Sequence, residues 1–269
     1  MGATFAGLRA AGRAGFVPFI MAGDPDLETT LALLRAADAA GADLIELGVP
    51  FSDPMADGPV LQRSAERALA GGTALPGILE VVARFRAASD VPVILFGYAN
   101  PFVQYDPERL ARDARASGVD GLLCIDMPPE EADDLQPALD AAGIAMIFLL
   151  APTSDATRRA RVLARARGFV YYVSITGVTG AAAPDLDEVG TMLRTVRQET
   201  TLPVGVGFGI RTPVQAAATA RVGDAVVVGS AVMQLVEEHR GTHLVAPVAD
   251  FLGRMAAAVH GARDSHGPV

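Results

Sequence analysis

Short apolar runs alternate with longer amphipathic stretches along most of the chain. Each run has four to six residues and includes β-branched or aromatic side chains, as buried parallel strands do. The eight runs cover Phe16–Met21, Leu44–Leu47, Val91–Phe96, Gly121–Ile125, Ala145–Leu150, Phe169–Ser174, Val204–Phe208 and Ala225–Val228. Stretches with helix signals lie between them, at Asp26–Ala40, Thr73–Ala88, Pro107–Ser117, Glu130–Ala142 and Ser154–Arg167.

Eight strand–helix units predict an α/β fold whose parallel sheet closes into a (β/α)8 barrel, because no linker leaves room for a second domain. We therefore expect one domain over residues 1–269, an extra N-terminal helix around Phe5 and Leu8, and a disordered tail at 261–269. Active sites of such barrels lie at the carboxyl ends of the strands. Two long loops rich in Gly and Pro are candidate lids at this end, Gly48–Pro59 and Ile175–Asp185.

Composition excludes several classes of function. The chain has 22 basic and 31 acidic residues and a net charge of −9, which argues against binding to nucleic acid or to an anionic membrane. No run reaches the length of a membrane helix, and we expect a cytoplasmic protein. Every basic residue is Arg, so Schiff-base catalysis by a lysine of this chain is excluded.

The positions of the histidines and of the cysteine exclude further types of catalytic site. All four histidines lie at or after His239, which disfavours a Ser-His-Asp site in the body of the chain. Cys124 lies in an apolar run and is interpreted as an inert core thiol. Acid–base work is therefore left mainly to carboxylates, tyrosines or water, and no metal site is predicted.

Two carboxylates stand out in the segment from Leu44 to Pro59. Glu46 interrupts an apolar strand, and a carboxylate buried there must be paired or have a raised pKa. It is either a general acid or base at the barrel rim or a structural carboxylate held by backbone amides. Asp57 lies in Ala-Asp-Gly-Pro, where the turn context alone favours a turn former over a catalytic group.

Glycines follow three late strands, in Gly177–Gly180, Gly205–Gly209 and Gly229-Ser230. Glycine allows backbone N–H groups to approach an anion, and barrels of this type often bind phosphate after strands seven and eight. We therefore predict a phosphate site there. Arg211 is either an added positive charge or an ordinary surface residue.

Aromatic residues near the strand ends have two interpretations each. Of Tyr171 and Tyr172 on the sixth run, one must face the barrel lumen, where it either fills the core or assists a proton transfer. Phe19, Phe96 and Phe208 either pack the core or together form the wall of a flat aromatic pocket.

At these residues the chain resembles the α subunit of tryptophan synthase. The matching segments run in order from about residue 5 to 260. They are Phe16–Ile20 with Gly23-Asp24-Pro25, Glu46–Pro59, Tyr98–Pro101, Asp126-Met127-Pro128, Tyr171–Gly180, Gly207–Ile210 and Gly229-Ser230. The resemblance implies a (β/α)8 lyase that cleaves indole-3-glycerol phosphate to indole and glyceraldehyde 3-phosphate by a retro-aldol reaction.

The same resemblance implies roles for single residues. Glu46 and Asp57 are implied as the catalytic carboxylates, with Tyr171 assisting. The implied phosphate-binding residues are Gly180, Gly209, Gly229 and Ser230. The implied indole pocket consists of Phe19, Phe96, Leu123 and Phe208.

The resemblance also implies a partner. Members of this family work with a β subunit in an α2β2 complex, in which the β subunit carries pyridoxal phosphate and this chain carries no cofactor. The β subunit is expected to dock near Gly48–Pro59 and Tyr98–Asp106, with Asp53 and Pro54 as candidates for relaying closure between subunits. An exposed apolar patch around Phe102-Val103 together with tight binding of the β subunit would argue against a stand-alone lyase. The alternatives are a stand-alone lyase, a catalytically silent allosteric partner, and a phosphosugar isomerase or epimerase on the same barrel.

Overall fold

The computed structural model describes residues 1–173, 185–207, 209–241 and 243–263. Its strands pair in sequence order, all in parallel, and β8 pairs with β1, so that the sheet forms a closed barrel. The prediction of a (β/α)8 barrel is confirmed. The strands are β1 Gly15–Met21, β2 Ile45–Gly48, β3 Val93–Gly97, β4 Gly121–Cys124, β5 Ala145–Leu150, β6 Val170–Val173, β7 Val204–Gly207 and β8 Ala225–Val228.

The helices form a layer around the barrel. In the described ranges they are α1 Gly2–Ala10, α2 Leu27–Ala39, α3 Pro59–Ala70, α4 Leu75–Arg86, α5 Ala99–Gln104, α6 Pro107–Ser117, α7 Gln136–Ala141, α8 Ala156–Arg165, α9 Leu186–Glu199, α10 Pro213–Ala220, α11 Ser230–Glu238 and α12 Val245–His260. A short 3-10 helix, Pro129–Asp134, precedes α7. The predicted N-terminal helix is present as α1, whose buried Phe5 lies against Phe169, with ring centroids 5.7 Å apart.

Strand alternation divides the buried side chains into two cores. One core lies between the sheet and the helices and includes Tyr172. The other fills the barrel lumen, and its members come from six of the strands, from the residues just before β2 and β6, and from α1. They include Phe5, Leu8, Val17, Leu44, Ile94, Leu123, Ile147, Phe169, Tyr171, Ala225 and Val227. Of the two adjacent tyrosines, Tyr171 therefore faces the lumen.

Prolines account for two differences from the predicted elements. A single helix over Glu130–Ala142 was expected, but the chain forms the 3-10 helix and then α7, because Pro137 has no N–H to donate to the carbonyl four residues earlier and can be accommodated only in the first turn of a helix. The third strand begins at Val93 rather than Val91, since Pro92 has no N–H to donate to the sheet.

Two features concern the ends and the surface of the chain. Ala262 is buried after α12, and Arg263 donates hydrogen bonds to backbone carbonyls of Ala220 and Gly223. The rest of the expected tail, 264–269, lies outside the described residues, as does 174–184, which holds most of the second candidate lid. Within the described ranges no single helix is long and apolar enough to cross a membrane, although α3 and α4 pass that test as a pair bent by 99°.

Candidate active site

Glu46 lies on β2 and points into the barrel lumen, because it follows Leu44 of the lumen core by two residues and therefore shares its face of the sheet. Its side chain is 1% exposed. Within the described part of the chain, its Oε1 has no hydrogen-bond partner. Burial alone raises the pKa of this carboxyl to about 8. A carboxyl in this state is protonated near neutral pH and can serve as a proton donor.

Aromatic side chains surround this part of the lumen. The rings of Phe19 and Phe96 meet edge to face with centroids 5.3 Å apart, and the ring of Phe96 lies 6.5 Å from that of Tyr171. Phe19 pairs in register with Glu46, and Phe96 pairs with Leu123, which is fully buried. The structure thus places three of the four predicted pocket residues near Glu46, whereas Phe208 lies outside the described residues.

Glycines on the strands make room for these rings. A Cβ atom at Gly207 would lie 2.0 Å from the Tyr171 hydroxyl, and one at Gly48 would lie 2.5 Å from the Phe19 ring. A Cβ atom at Gly205 would meet the Phe169 ring at 3.1 Å. In the glycine run Gly205–Gly209, Gly205 and Gly207 therefore accommodate lumen aromatics within β7, and Gly209 lies beyond the strand end.

Tyr171 is fixed against Gly207 and close to Glu46. Burial raises the pKa of its hydroxyl well above the ordinary value, and the negative charge of an ionised Glu46 adds to this rise. The hydroxyl therefore keeps its proton at working pH and has it available to donate to a hydrogen bond.

Asp57 occupies the loop between β2 and α3, at the carboxyl end of the barrel. Gly58 is the N-cap of α3 and Pro59 is its first residue, so the turn context of Asp57 starts a helix. The Asp57 side chain is only 7% exposed. Burial raises its pKa to about 6, against the opposing effect of a hydrogen bond from Tyr98. Asp57 is therefore both a turn residue and a buried titratable group.

Tyr98 is a site residue that the sequence analysis did not single out as one. It follows β3 and is buried, and its ring lies 5.4 Å from that of Phe51 in the same loop as Asp57. Its hydroxyl accepts a hydrogen bond from the Ala56 N–H at 3.1 Å and donates one to the Asp57 carboxylate. The tyrosine in Tyr98-Ala99-Asn100-Pro101 was the available signal, but its partner Ala56 lies 42 residues away in the chain.

The predicted phosphate residues lie after β7 and β8. Gly209 has a positive φ of 68°, a conformation that glycine adopts readily. Gly229 is the N-cap of α11, and no side chain caps the first amides of this helix. By contrast, the start of α10 is closed by a capping box formed by Thr212 and Gln215. Gly180 lies outside the described residues.

The aromatic pocket lies next to the start of α11. A Cβ atom at Gly229 would lie 3.5 Å from the Cβ of Phe19, which shows how closely the two features approach. Among the described residues no group of three or more His, Cys, Asp or Glu side chains could hold a metal ion.

Cys124 is buried, and burial raises the pKa of its thiol.

Comparison with known proteins identifies the family. The family model described as tryptophan synthase alpha chain matches residues 5–260. The chain belongs to this family. Tryptophan synthase alpha chains from Phenylobacterium zucineum and Citrifermentans bemidjiense are 53% and 51% identical to it, over 99% and 95% of this chain and 98% and 96% of theirs.

Solved structures of the family agree with the fold. The tryptophan synthase subunit alpha of Legionella pneumophila superposes with a TM-score of 0.88 at 38% identity, covering 96% of this chain and 97% of that one. A structure of Mycobacterium tuberculosis tryptophan synthase contains a chain that matches with a TM-score of 0.89 at 35% identity, over 96% and 97% of the two chains. The resemblance found in the sequence is confirmed, and tryptophan biosynthesis follows from the family.

Proposed function

We propose that the chain cleaves indole-3-glycerol phosphate to indole and glyceraldehyde 3-phosphate, as a carbon–carbon lyase. The observation that supports this most directly is the pair of buried carboxylates, Glu46 and Asp57, at one end of the barrel. Their pKa values are raised to about 8 and about 6, so one is protonated and the other ionised near neutral pH. Such a pair can divide the acid and base roles of one reaction.

The neutral carboxyl of Glu46 starts the reaction by giving its proton to C3 of the indole. This turns the ring into an iminium, which accepts electrons as an imine does in other aldol cleavages. The Glu46 carboxylate then takes the proton of the hydroxyl next to the ring. The bond between C3 and the side chain breaks, its electron pair returns to the ring, and the hydroxyl carbon becomes the aldehyde of the product. Glu46 ends in its starting state.

Asp57 balances the charge that appears on the ring nitrogen after C3 is protonated. Its carboxylate is ionised above about pH 6 and is held by the Tyr98 hydroxyl. An anion fixed in a buried site stabilises a developing positive charge without reorganising at the moment of reaction. No lysine is needed for this chemistry, and the chain contains none.

The remaining residues bind and orient the substrate. Phe19, Phe96 and Leu123 form an apolar wall suited to a flat indole ring, with Phe208 as a further member. The amides around Gly229 and Ser230, together with Gly209 and Gly180, bind the phosphate, which the helix dipole of α11 favours. Tyr171 donates a hydrogen bond near Glu46 and assists the proton transfers. The phosphate anchors the substrate at a distance from the reacting carbon.

The partner in this proposal is a β subunit, in an α2β2 complex. The face of the barrel that carries the loop of Asp57 also carries two exposed apolar side chains, Met55 at 89% exposed and Val103 at 44%. Of the pair Phe102-Val103, only Val103 is exposed, since Phe102 is fully buried and packs against Gly97. Indole passes to the β subunit, which supplies the pyridoxal phosphate, and this chain works without a cofactor of its own.

The test is indole release from indole-3-glycerol phosphate by the purified chain, alone and with a β subunit. Slow release that rises sharply on adding the partner supports the proposal. Rapid release that the partner does not change indicates a stand-alone lyase. Stable binding to the β subunit without any release indicates a silent allosteric partner. Isomerisation of a triose or pentose phosphate, with indole-3-glycerol phosphate left intact, indicates an isomerase or epimerase.

A further inference from the structure

A network of charged side chains lies beside the candidate site, and we name it the Arg67 network. The Asp24 carboxylate accepts hydrogen bonds from Ser64 Oγ at 2.5 Å and from Arg67 Nε and Nη2 at 2.8 and 2.6 Å. Arg67 Nη1 also donates to Glu237 at 3.1 Å. Arg63 binds the same Glu237 carboxylate through two bonds of 2.7 Å.

The network joins three separate parts of the fold. Asp24 lies just past β1, Ser64 and Arg67 lie on α3, and Glu237 lies on α11. The Asp24 side chain is fully buried, and Arg67 is 19% exposed. A buried carboxylate that lost its cationic partner would be costly, so Arg67 is held firmly in place. Its planar guanidinium contacts both carboxylates at once, which a flexible ammonium group does less well.

Both helices start at the candidate site. Asp57 precedes α3 by two residues, and Ser230 is the first residue of α11. At about 1.5 Å of rise per residue, Arg67 and Glu237 lie roughly 10 to 12 Å along their helices from these starts. A hydrogen-bonded link at this distance along both helices sets the separation between the first residue of α3 and the first residue of α11.

We propose that Arg67 is a positioning residue that sets the spacing between Asp57 and the phosphate-binding start of α11. A substrate held by its phosphate then presents its ring to Asp57. This inference rests on the proposed function, because it needs a ligand with both an indole ring and a phosphate. Arg67 itself touches neither group and acts through the two helices.

The experiment compares one two-part ligand with its halves. The probe is an indole carrying a three-carbon chain that ends in phosphate and lacks the hydroxyl next to the ring, so that it cannot be cleaved. The halves are indole and glycerol 3-phosphate. Calorimetry on the full chain gives three dissociation constants, and the product of those of the halves divided by that of the probe is an effective concentration. A purely structural role of Arg67 would lower stability without changing this quantity.

The variant is Arg67→Met, and the matched control is Arg86→Met. Arg86 is also 19% exposed and is also paired with a carboxylate, Asp120, but it lies at the opposite end of the barrel, where Asp120 precedes β4. We expect Arg67→Met to bind each half nearly as wild type does and to lose about 10- to 100-fold in effective concentration, since small misplacements cost that much. Arg86→Met should keep the effective concentration within about twofold, because distant sites act independently.

A second variant covers the case in which Arg67→Met does not fold. Glu237→Met removes the link to α11 and leaves the Arg67–Asp24 pair intact, and it should lower the effective concentration in the same direction. An unchanged effective concentration in the folded variants, or an equal loss in Arg86→Met, would overturn the inference. If wild type itself binds the probe no better than the halves and releases no indole, the proposed function fails and the inference fails with it.

Discussion

The burial of Glu46 has a consequence for stability that can be measured without any substrate. Its carboxyl has a pKa of about 8 in the folded chain, against an ordinary value of 4.5. Between these two pH values the folded chain holds a proton that the unfolded chain has released. Rising pH therefore favours the unfolded state over this window, and wild type loses stability that an uncharged side chain would retain.

The size of the effect follows from the pKa difference. At about 1.4 kcal/mol per pKa unit, a rise from 4.5 to about 8 corresponds to roughly 4 to 5 kcal/mol above pH 8. Glu46→Gln has nearly the same shape and never ionises. We expect the free energy of unfolding of Glu46→Gln to match that of wild type within about 1 kcal/mol at pH 5 and to exceed it by several kcal/mol at pH 9.

Urea unfolding followed by circular dichroism at pH 5, 7 and 9 measures the difference directly. Glu80→Gln, at an exposed position on α4, is the control and should show no such trend with pH. An advantage of Glu46→Gln that stays constant from pH 5 to 9, or a loss of stability at pH 9, would refute the reasoning. We expect Glu46→Gln to gain stability and lose activity together, because a protein can keep a destabilising buried group for its function.

Two further predictions concern the partners of the carboxylates. Tyr98→Phe removes a hydrogen bond that lowers the pKa of Asp57, so the acid limb of the pH dependence of kcat/KM, expected near 6 in wild type, should move to higher pH. A limb that stays in place or moves down contradicts this role. Gly207→Ala places a Cβ against the Tyr171 hydroxyl and should cost about 1 to 3 kcal/mol of unfolding free energy in thermal or urea unfolding. Gly253→Ala, where a Cβ meets nothing within 4 Å, should cost nothing, and equal effects of the two changes would contradict the packing argument.

The barrel was predictable because its signals are local. Each buried strand is a short apolar run, and helix ends are marked by residues such as Gly118, which adopts a left-handed conformation after α6. The break before α7 was missed because apolar periodicity continues across it, and only Pro137 signals the change. Local signals thus carry the order of strands and helices, and they are weakest where one residue overrides a periodic pattern.

The site was predictable only in part, for a different reason. Glu46 was conspicuous because a carboxylate within an apolar run is unusual. The facing of Glu46, and the role of Gly207 in making room for Tyr171, depend on neighbouring strands and could not be decided from spacing. The Arg67 network was hidden as well, since Arg67 and Glu237 are 170 residues apart in the chain. Contacts between residues so far apart in the chain cannot be predicted from the local pattern of a single sequence.

The central claim is that Glu46 and Asp57 carry the chemistry on this barrel. It is tested most directly by indole release from indole-3-glycerol phosphate with wild type, Glu46→Gln and Asp57→Asn, each saturated with the same β subunit. The account predicts that each change lowers kcat by at least about 100-fold, while circular dichroism and binding to the β subunit stay near those of wild type. Release by either folded, partner-bound variant at close to the wild-type rate would contradict the claim.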